Sequence, residues 1–195
     1  MRDVVVLSAV RSPIGSFGGS LSSIEPADLA SSVIKEAIER SNADFDEVTH
    51  CTLGNCIPTE SRSPYISRVA SINAGMPVES VAVTVNRLCG SAMQGIVSTS
   101  QSIMLGDCDF GIGGGVEVMS KGGYLSPSMR SGARMGDSNI IDMMVATLTD
   151  PFGVGHMGIT AENLAKKWEI TREEQDRFSM LSQKKAILAI DQGRF

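Results

Sequence analysis

Val81-Ala82-Val83-Thr84-Val85-Asn86-Arg87-Leu88-Cys89-Gly90-Ser91-Ala92 is the stretch whose reading decides the fold. A short β-branched run stops at a polar turn, and a long segment of small, helix-compatible residues follows. The order predicts a strand, a tight turn and then a helix spanning Cys89 to Leu105 and stopped by Gly106, with a thiol at its entrance. Unpaired N–H groups and the positive dipole end of a helix favour a thiolate over a thiol. Cys89 is therefore a candidate nucleophile.

Working outward, Val4 to Val10 is an almost continuous apolar run, as expected of a strand covered on both faces. Pro26 suits a helix first turn, and Leu29, Ala30, Val33, Ile34, Ala37 and Ile38 recur at helical spacing. Val48 to Leu53 reads as a second strand, Ser63-Pro64 as a helix start running to a stop at Gly75, Ser80 to Val85 as a third strand, and Asp109 to Val118 as a fourth. The sum is a β-α-β-α-β-α-β order, which calls for an α/β fold with helices on the faces of a sheet. Small groups spread around the helix after Cys89 suggest an inner helix packed from more than one side. Residues 120–155 are rich in Gly, Ser, Met and Asp and lack clean periodicity, the mark of a functional or interface excursion. Beyond Gly158 helical patterning returns, and Thr171 with Glu174 has the spacing of a capping box opening a helix toward Gln192 and Gly193.

The chain has 195 residues and a net charge of −5, which argues against broad nucleic-acid binding, since that needs surplus cations. No apolar run approaches a membrane span. The beginning has no signal-peptide shape, and four scattered cysteines (Cys51, Cys56, Cys89, Cys108) are no disulfide scaffold. A cytoplasmic, reducing setting is the expectation. Cys51 and Cys56 are five apart across a strand end, which would point them to opposite faces, and His50 and His156 are the two histidines, so no metal site is expected. Gly111-Ile112-Gly113-Gly114-Gly115-Val116 brushes against a dinucleotide fingerprint, but its sixth position is Val and no helix directly follows. It reads instead as a strand passing close to other backbone.

Asn86-Arg87-Leu88-Cys89-Gly90-Ser91-Ala92 resembles the active-site cysteine motif of the thiolases. Ala9-Val10-Arg11-Ser12-Pro13-Ile14-Gly15, Gly113-Gly114-Gly115-Val116-Glu117-Val118-Met119-Ser120 and His156-Met157-Gly158-Ile159-Thr160-Ala161-Glu162-Asn163 match further family motifs, in the right order. Ala92 and Met93 stand where Gly and Leu are usual. The resemblance implies a thiolase-like layered α/β fold with a mixed sheet and helices on both faces. It implies residues 1–119 as an N-terminal half lacking its last strand and 120–195 as a partial, irregular and helical loop domain. A thiolase subunit is about twice this length. A catalytic His, a second catalytic Cys and an Asn that holds a water in an oxyanion hole are expected in a second half outside these residues, so the 195 residues alone are expected to be nearly inactive.

By the same resemblance, Cys89 is acylated by an acyl-CoA and passes the acyl group to acetyl-CoA, giving a 3-ketoacyl-CoA, or runs the reverse. Coenzyme A thioesters are substrates, and no further cofactor is implied. His156 and Met157 would line the acyl and pantetheine end of the pocket and lean toward short-chain acyl-CoA; taken without the resemblance they read as a satisfied histidine and a packing methionine. The stretch from Gly122 to Asp150 would serve association into a homodimer or homotetramer. Two rival readings stand beside this one: a non-catalytic fragment, and a ketosynthase-type condensing enzyme with a carrier-protein partner.

Overall fold

The structure, a computed structural model, describes residues 2–194. Its contacts divide the chain into two compact units, Met1–Thr147 and Leu148–Phe195. Residues 120–147 thus belong with the first unit.

In the first unit, helix α1 (Pro26–Ser41) opens with proline in its first turn, where no N–H is needed, and closes on Asn42 in the left-handed region at φ 58°. Ala27, Ala30, Ile34 and Ile38 form its buried stripe. Strand β1 (Val48–Gly54), helix α2 (Ile66–Asn73), strand β2 (Val81–Val85), helix α3 (Ser91–Leu105) and strand β3 (Phe110–Gly115) follow. The sheet order is β2-β1-β3, with both pairings parallel. The layered α/β class is the expected one; the three strands of this sheet all run the same way.

The two faces of β1 carry different loads. Cys51 and Leu53 join Ala30, Ile34, Ile38, Ala70 and Met76 in the apolar core beneath α1 and α2. Each fully buried aliphatic side chain there contributes roughly 1.5–3 kcal/mol. Ser67 of α2, fully buried, donates to Val83 O (2.8 Å) and accepts from Leu53 N (3.2 Å), tying the helix to two strands. The opposite face is covered by α3, and glycine makes that contact possible. A Cβ on Gly95 would lie 2.6 Å from Gly114 O, and one on Gly113 2.6 Å from Ile96 Cα. The glycine-rich run of β3 is therefore a strand lying against helix backbone, as its sequence suggested. Only one face of α3 is covered among the described residues: Ser91, Gly95 and Thr99 are buried, while Met93, Ile96 and Val97 are exposed.

The expected first strand is not formed. Residues 2–16 carry no regular structure, and Val5, Val6 and Leu7 are exposed. The segment 3–12 instead lines a cavity of about 640 Å³ whose other walls come from α1, α3 and β3. An apolar run becomes a strand only when a neighbour supplies its hydrogen bonds. Here the free edge of β3 and the extended segment stand apart with that space between them. Single contacts from distant parts of the chain anchor the two ends of this region: Arg2 pairs with Asp109, and Gly18 N donates to Ser120 Oγ.

After β3 the first unit closes with a small antiparallel pair, β4 (Tyr124–Leu125) and β5 (Ile141–Asp142), and the short helix α4 (Met143–Thr147). The second unit holds an antiparallel pair, β6 (Thr149–Asp150) and β7 (Gly155–His156), then helices α5 (Met157–Lys167) and α6 (Arg172–Asp191). Thr171 and Glu174 form the expected capping box at the start of α6. Among the described residues, no helix is long and apolar enough to cross a membrane, and no group of three or more His, Cys, Asp or Glu is placed to hold a metal ion.

Candidate active site

Three parallel strands end along one edge of the sheet, so the segments that leave them meet there. These are Asn55-Cys56-Ile57 after β1, Asn86 to Gly90 after β2, and Val116-Glu117 after β3. Cys89 stands in the segment after β2 and is exposed.

The turn that presents Cys89 is strained and tied down. Leu88 lies in the left-handed region at φ 49°, a conformation that costs a residue with a Cβ about 1–2 kcal/mol. The surroundings hold it. Leu88 N donates to Asn86 Oδ1 (2.9 Å), and Leu88 O accepts from Ser91 Oγ (2.6 Å) and from the Cys56 thiol (2.8 Å). Ser91 Oγ also accepts from Arg87 N (2.7 Å), closing the turn on itself. The helix begins later than expected. Gly90 is the N-cap of α3 and Ser91 its first residue, because the reversal at Leu88 and Gly90 occupies the position read as helix entrance. Cys89 thus sits in the turn just before the helix, and the helix dipole acts on it from one step further away.

A second ring of contacts positions this turn from below. The Glu117 carboxylate accepts from Asn55 Nδ2 (2.9 Å), Cys56 N (2.9 Å) and Ile57 N (3.0 Å). Asn86 Nδ2 donates to Cys56 O (3.2 Å). Charge-assisted bonds of this kind are the stronger class. Glu117 therefore fixes the loop after β1, and that loop braces the turn carrying Cys89. Burial pushes the Cys56 thiol above its ordinary value; the hydrogen bond with Ser91 works the other way, while the Glu117 charge and Cys89 add to the rise. Cys56 is a protonated donor at neutral pH.

His156 and Met157 lie in the second unit. His156 is the N-cap of α5: its Nδ1 accepts from Gly158 N (3.1 Å), which assigns the proton of the neutral ring to Nε2. Met157 is exposed, and its N donates to Leu148 O (2.9 Å). His50 lies within β1 beside Thr49 Oγ1 (3.2 Å).

The sequence profile described as "Thiolase, N-terminal domain" matches residues 4–195. The chain belongs to the thiolase family. It is 50% identical over 194 residues to the beta-ketothiolase BktB of Cupriavidus necator, covering 100% of this chain and 49% of that protein. It is 43% identical over 197 residues to an acetyl-CoA acetyltransferase of Pseudomonas aeruginosa, covering 100% and 50%. Among solved structures, the acetyl-CoA acetyltransferase of Bacillus anthracis superposes at a TM-score of 0.93 with 40% identity, covering 98% of this chain and 48% of that one. Human mitochondrial 3-ketoacyl-CoA thiolase, solved in complex with CoA, gives 0.93 at 35% identity, covering 97% and 48%. This thiolase chain thus spans about half the length of the curated relatives it matches.

Three residues around the Cys89 turn, Asn55, Cys56 and Glu117, carry no local signal in the sequence. Glu117 lies inside the Gly113–Ser120 motif with no role attached to it, and the sequence marks Cys56 only as a cysteine that fits neither a disulfide scaffold nor a metal pair. The signal was present in the strand order. Parallel strands share an edge, so the residues just past each strand's C-terminal end were candidates for the same site.

Proposed function

We propose that this thiolase acts on coenzyme A thioesters through an acyl-cysteine. The Cys89 sulfur attacks the thioester carbonyl of an acyl-CoA, a C–S bond forms, and coenzyme A leaves as the thiol. Acetyl-CoA then loses a proton from its α-carbon and condenses with the acyl group, giving a 3-ketoacyl-CoA and freeing Cys89; thiolysis runs the same steps backwards. A thioester replaces a thioester, so little acyl-transfer energy is lost before the carbon–carbon step, and one hard reaction becomes two easier ones. The N–H of Cys89, presented by the turn before α3, is a donor for the developing oxyanion, a contact worth about 100-fold or more in rate.

The observation that carries this reading is the exposed Cys89 on a strained turn, braced by the loop after β1 that Glu117 in turn holds, within a domain that matches the thiolases throughout. His156 and Met157 are assigned to the acyl and pantetheine end of the pocket, with Nε2–H of His156 as the outward donor. The relatives' names, acetyl-CoA acetyltransferase and beta-ketothiolase, support short acyl groups. The base for Cys89, the second cysteine and the oxyanion asparagine belong to the other half of a thiolase, so these 195 residues by themselves turn over negligibly. A cytoplasmic homodimer or homotetramer, associating through residues 122–150, completes the proposal.

The test is steady-state kinetics on the full-length protein with coenzyme A and a 3-ketoacyl-CoA as varied substrates. Parallel double-reciprocal lines, and loss of turnover by at least about 10³-fold in Cys89→Ala, are expected. Intersecting lines with full activity in Cys89→Ala would overturn it.

A further inference from the structure

The peptide that joins Leu88 to Cys89 is held at one end and open at the other. Its oxygen, Leu88 O, accepts from Ser91 Oγ (2.6 Å), from Ser91 N (3.0 Å) and from the Cys56 thiol (2.8 Å). Its N–H, that of Cys89, meets no acceptor among the described residues. A trans peptide is planar and its C=O and N–H point in opposite directions, so whatever aims the oxygen also aims the N–H. Both Ser91 donors belong to the first residue of α3 and move with the turn. Cys56 is the donor from another element, the loop after β1, and it ties this peptide to the sheet. Its own backbone is fixed on both sides: Cys56 N donates to Glu117 Oε2 (2.9 Å), and Cys56 O accepts from Asn86 Nδ2 (3.2 Å).

We propose that Cys56 is a positioning residue for acyl transfer: its S–H, in a loop that Glu117 holds, aims the Leu88–Cys89 peptide so that the Cys89 N–H faces the oxygen of the thioester under attack. Cys56 touches no reacting atom and acts through the peptide. As the Cys89 sulfur adds to the carbonyl carbon, the C=O electron pair moves onto oxygen, and the Cys89 N–H meets the charge that gathers there. The pair returns to re-form C=O as the bond to the coenzyme A sulfur breaks and that thiolate leaves. Hydrogen bonds into Leu88 O polarise the amide and strengthen its N–H as a donor. The thiol donates only while it keeps its proton, and burial, the largest influence on it, favours that form. Leu88 at φ 49° makes the clamp necessary, because a strained turn released from its contacts relaxes to another conformation. The role rests on the acyl-cysteine reading of Cys89 and adds to it a residue that reading does not use, so the two can fail separately.

The test follows acetylation of the full-length protein by rapid quenching over a range of acetyl-CoA concentrations, beside alkylation of Cys89 by iodoacetamide, with both products mapped by mass spectrometry. Alkylation displaces iodide from a saturated carbon and builds no oxyanion, so it reports the thiolate alone, whereas acetylation needs the N–H as well. In Cys56→Ala the maximal acetylation rate is expected to fall about 10- to 100-fold, with the half-saturating concentration and the alkylation rate each within about twofold of the unaltered protein. Cys56→Ser, whose hydroxyl still donates to Leu88 O, is expected to recover to within about threefold of the unaltered rate. Cys56→Val fills the space of the thiol without a donor and should match Cys56→Ala; it separates lost packing from a lost hydrogen bond and replaces the alanine variant if that one does not fold. Three results would overturn the proposal: acetylation of Cys56→Ala at the unaltered rate, alkylation falling in step with acetylation, or Cys56→Ser no faster than Cys56→Ala. An unaltered protein that takes no acetyl group at Cys89 overturns the acyl-cysteine reading itself, and the positioning role with it.

Discussion

Gly54→Ala places a methyl group where β1 meets the start of α3. The added Cβ would lie 2.4 Å from Ser91 C, 2.5 Å from Ser91 Cβ and 2.6 Å from Ala92 N, whereas ordinary contact begins at 3.4 Å. The atoms met are backbone and a Cβ fixed rigidly to it, so the helix start must retreat by about 1 Å, since no flexible side-chain end is available to swing aside. Ser91 Oγ is the atom that closes the turn around Cys89 through Leu88 O and Arg87 N, so the displacement passes directly to the proposed nucleophile. Overpacking of this kind costs about 1–3 kcal/mol of stability. For a domain of this size that corresponds to a melting temperature lowered by roughly 2–12 °C. A 1 Å misplacement of a reacting group costs about 100-fold in rate. The assay is thiolysis of a 3-ketoacyl-CoA by full-length protein, with thermal melting in parallel, and Gly123→Ala as the control because its Cβ would meet nothing within 4 Å. If Gly54→Ala kept its turnover within about twofold and its melting temperature unchanged, the argument that this close contact positions Cys89 would be refuted.

Two further outcomes follow from the core and from the segment before α1. Cys51 is fully buried, and burial pushes its thiol up to about 12. Its folded value lies above the unfolded one near 9, so its contribution to stability is intact below pH 9 and declines between pH 9 and about 12, by at most about 4 kcal/mol. Urea titrations across that window should show a shallower alkaline loss for Cys51→Val than for the unaltered chain; identical slopes would contradict the assignment. Residues 4–10 pair with no strand among the described residues, so hydrogen exchange in this chain should be fast there and slow in β1, a contrast that equal protection would abolish.

The local frame of the candidate site was legible because its signals are local. A β-branched run followed by a polar turn and a small-residue helix anticipated the strand–turn–helix order around Cys89, and the capping-box spacing located α6. The glycine run of β3 was read as close backbone approach, and the clash distances at Gly95 and Gly113 give that reading its physical cause. What the sequence misjudged depended on partners. Val4 to Val10 has strand composition, but composition supplies no hydrogen bonds, and the run stays unpaired beside a cavity. The helix entrance was placed two residues early because the left-handed Leu88 is invisible to periodicity: leucine carries no turn signal, and its conformation is imposed by Asn86, Ser91 and Cys56. Glu117 was hidden for a similar reason, since its three hydrogen bonds reach a loop about sixty residues earlier and only the parallel strand order brings the two together.

Cys89 is the proposed carrier of the acyl group. Full-length protein mixed briefly with acetyl-CoA, quenched in acid and digested should yield one acetylated peptide, the one containing Cys89, with the label released by added coenzyme A. An acetyl group on any other residue, or no protein-bound acetyl while the protein still turns over, would contradict it.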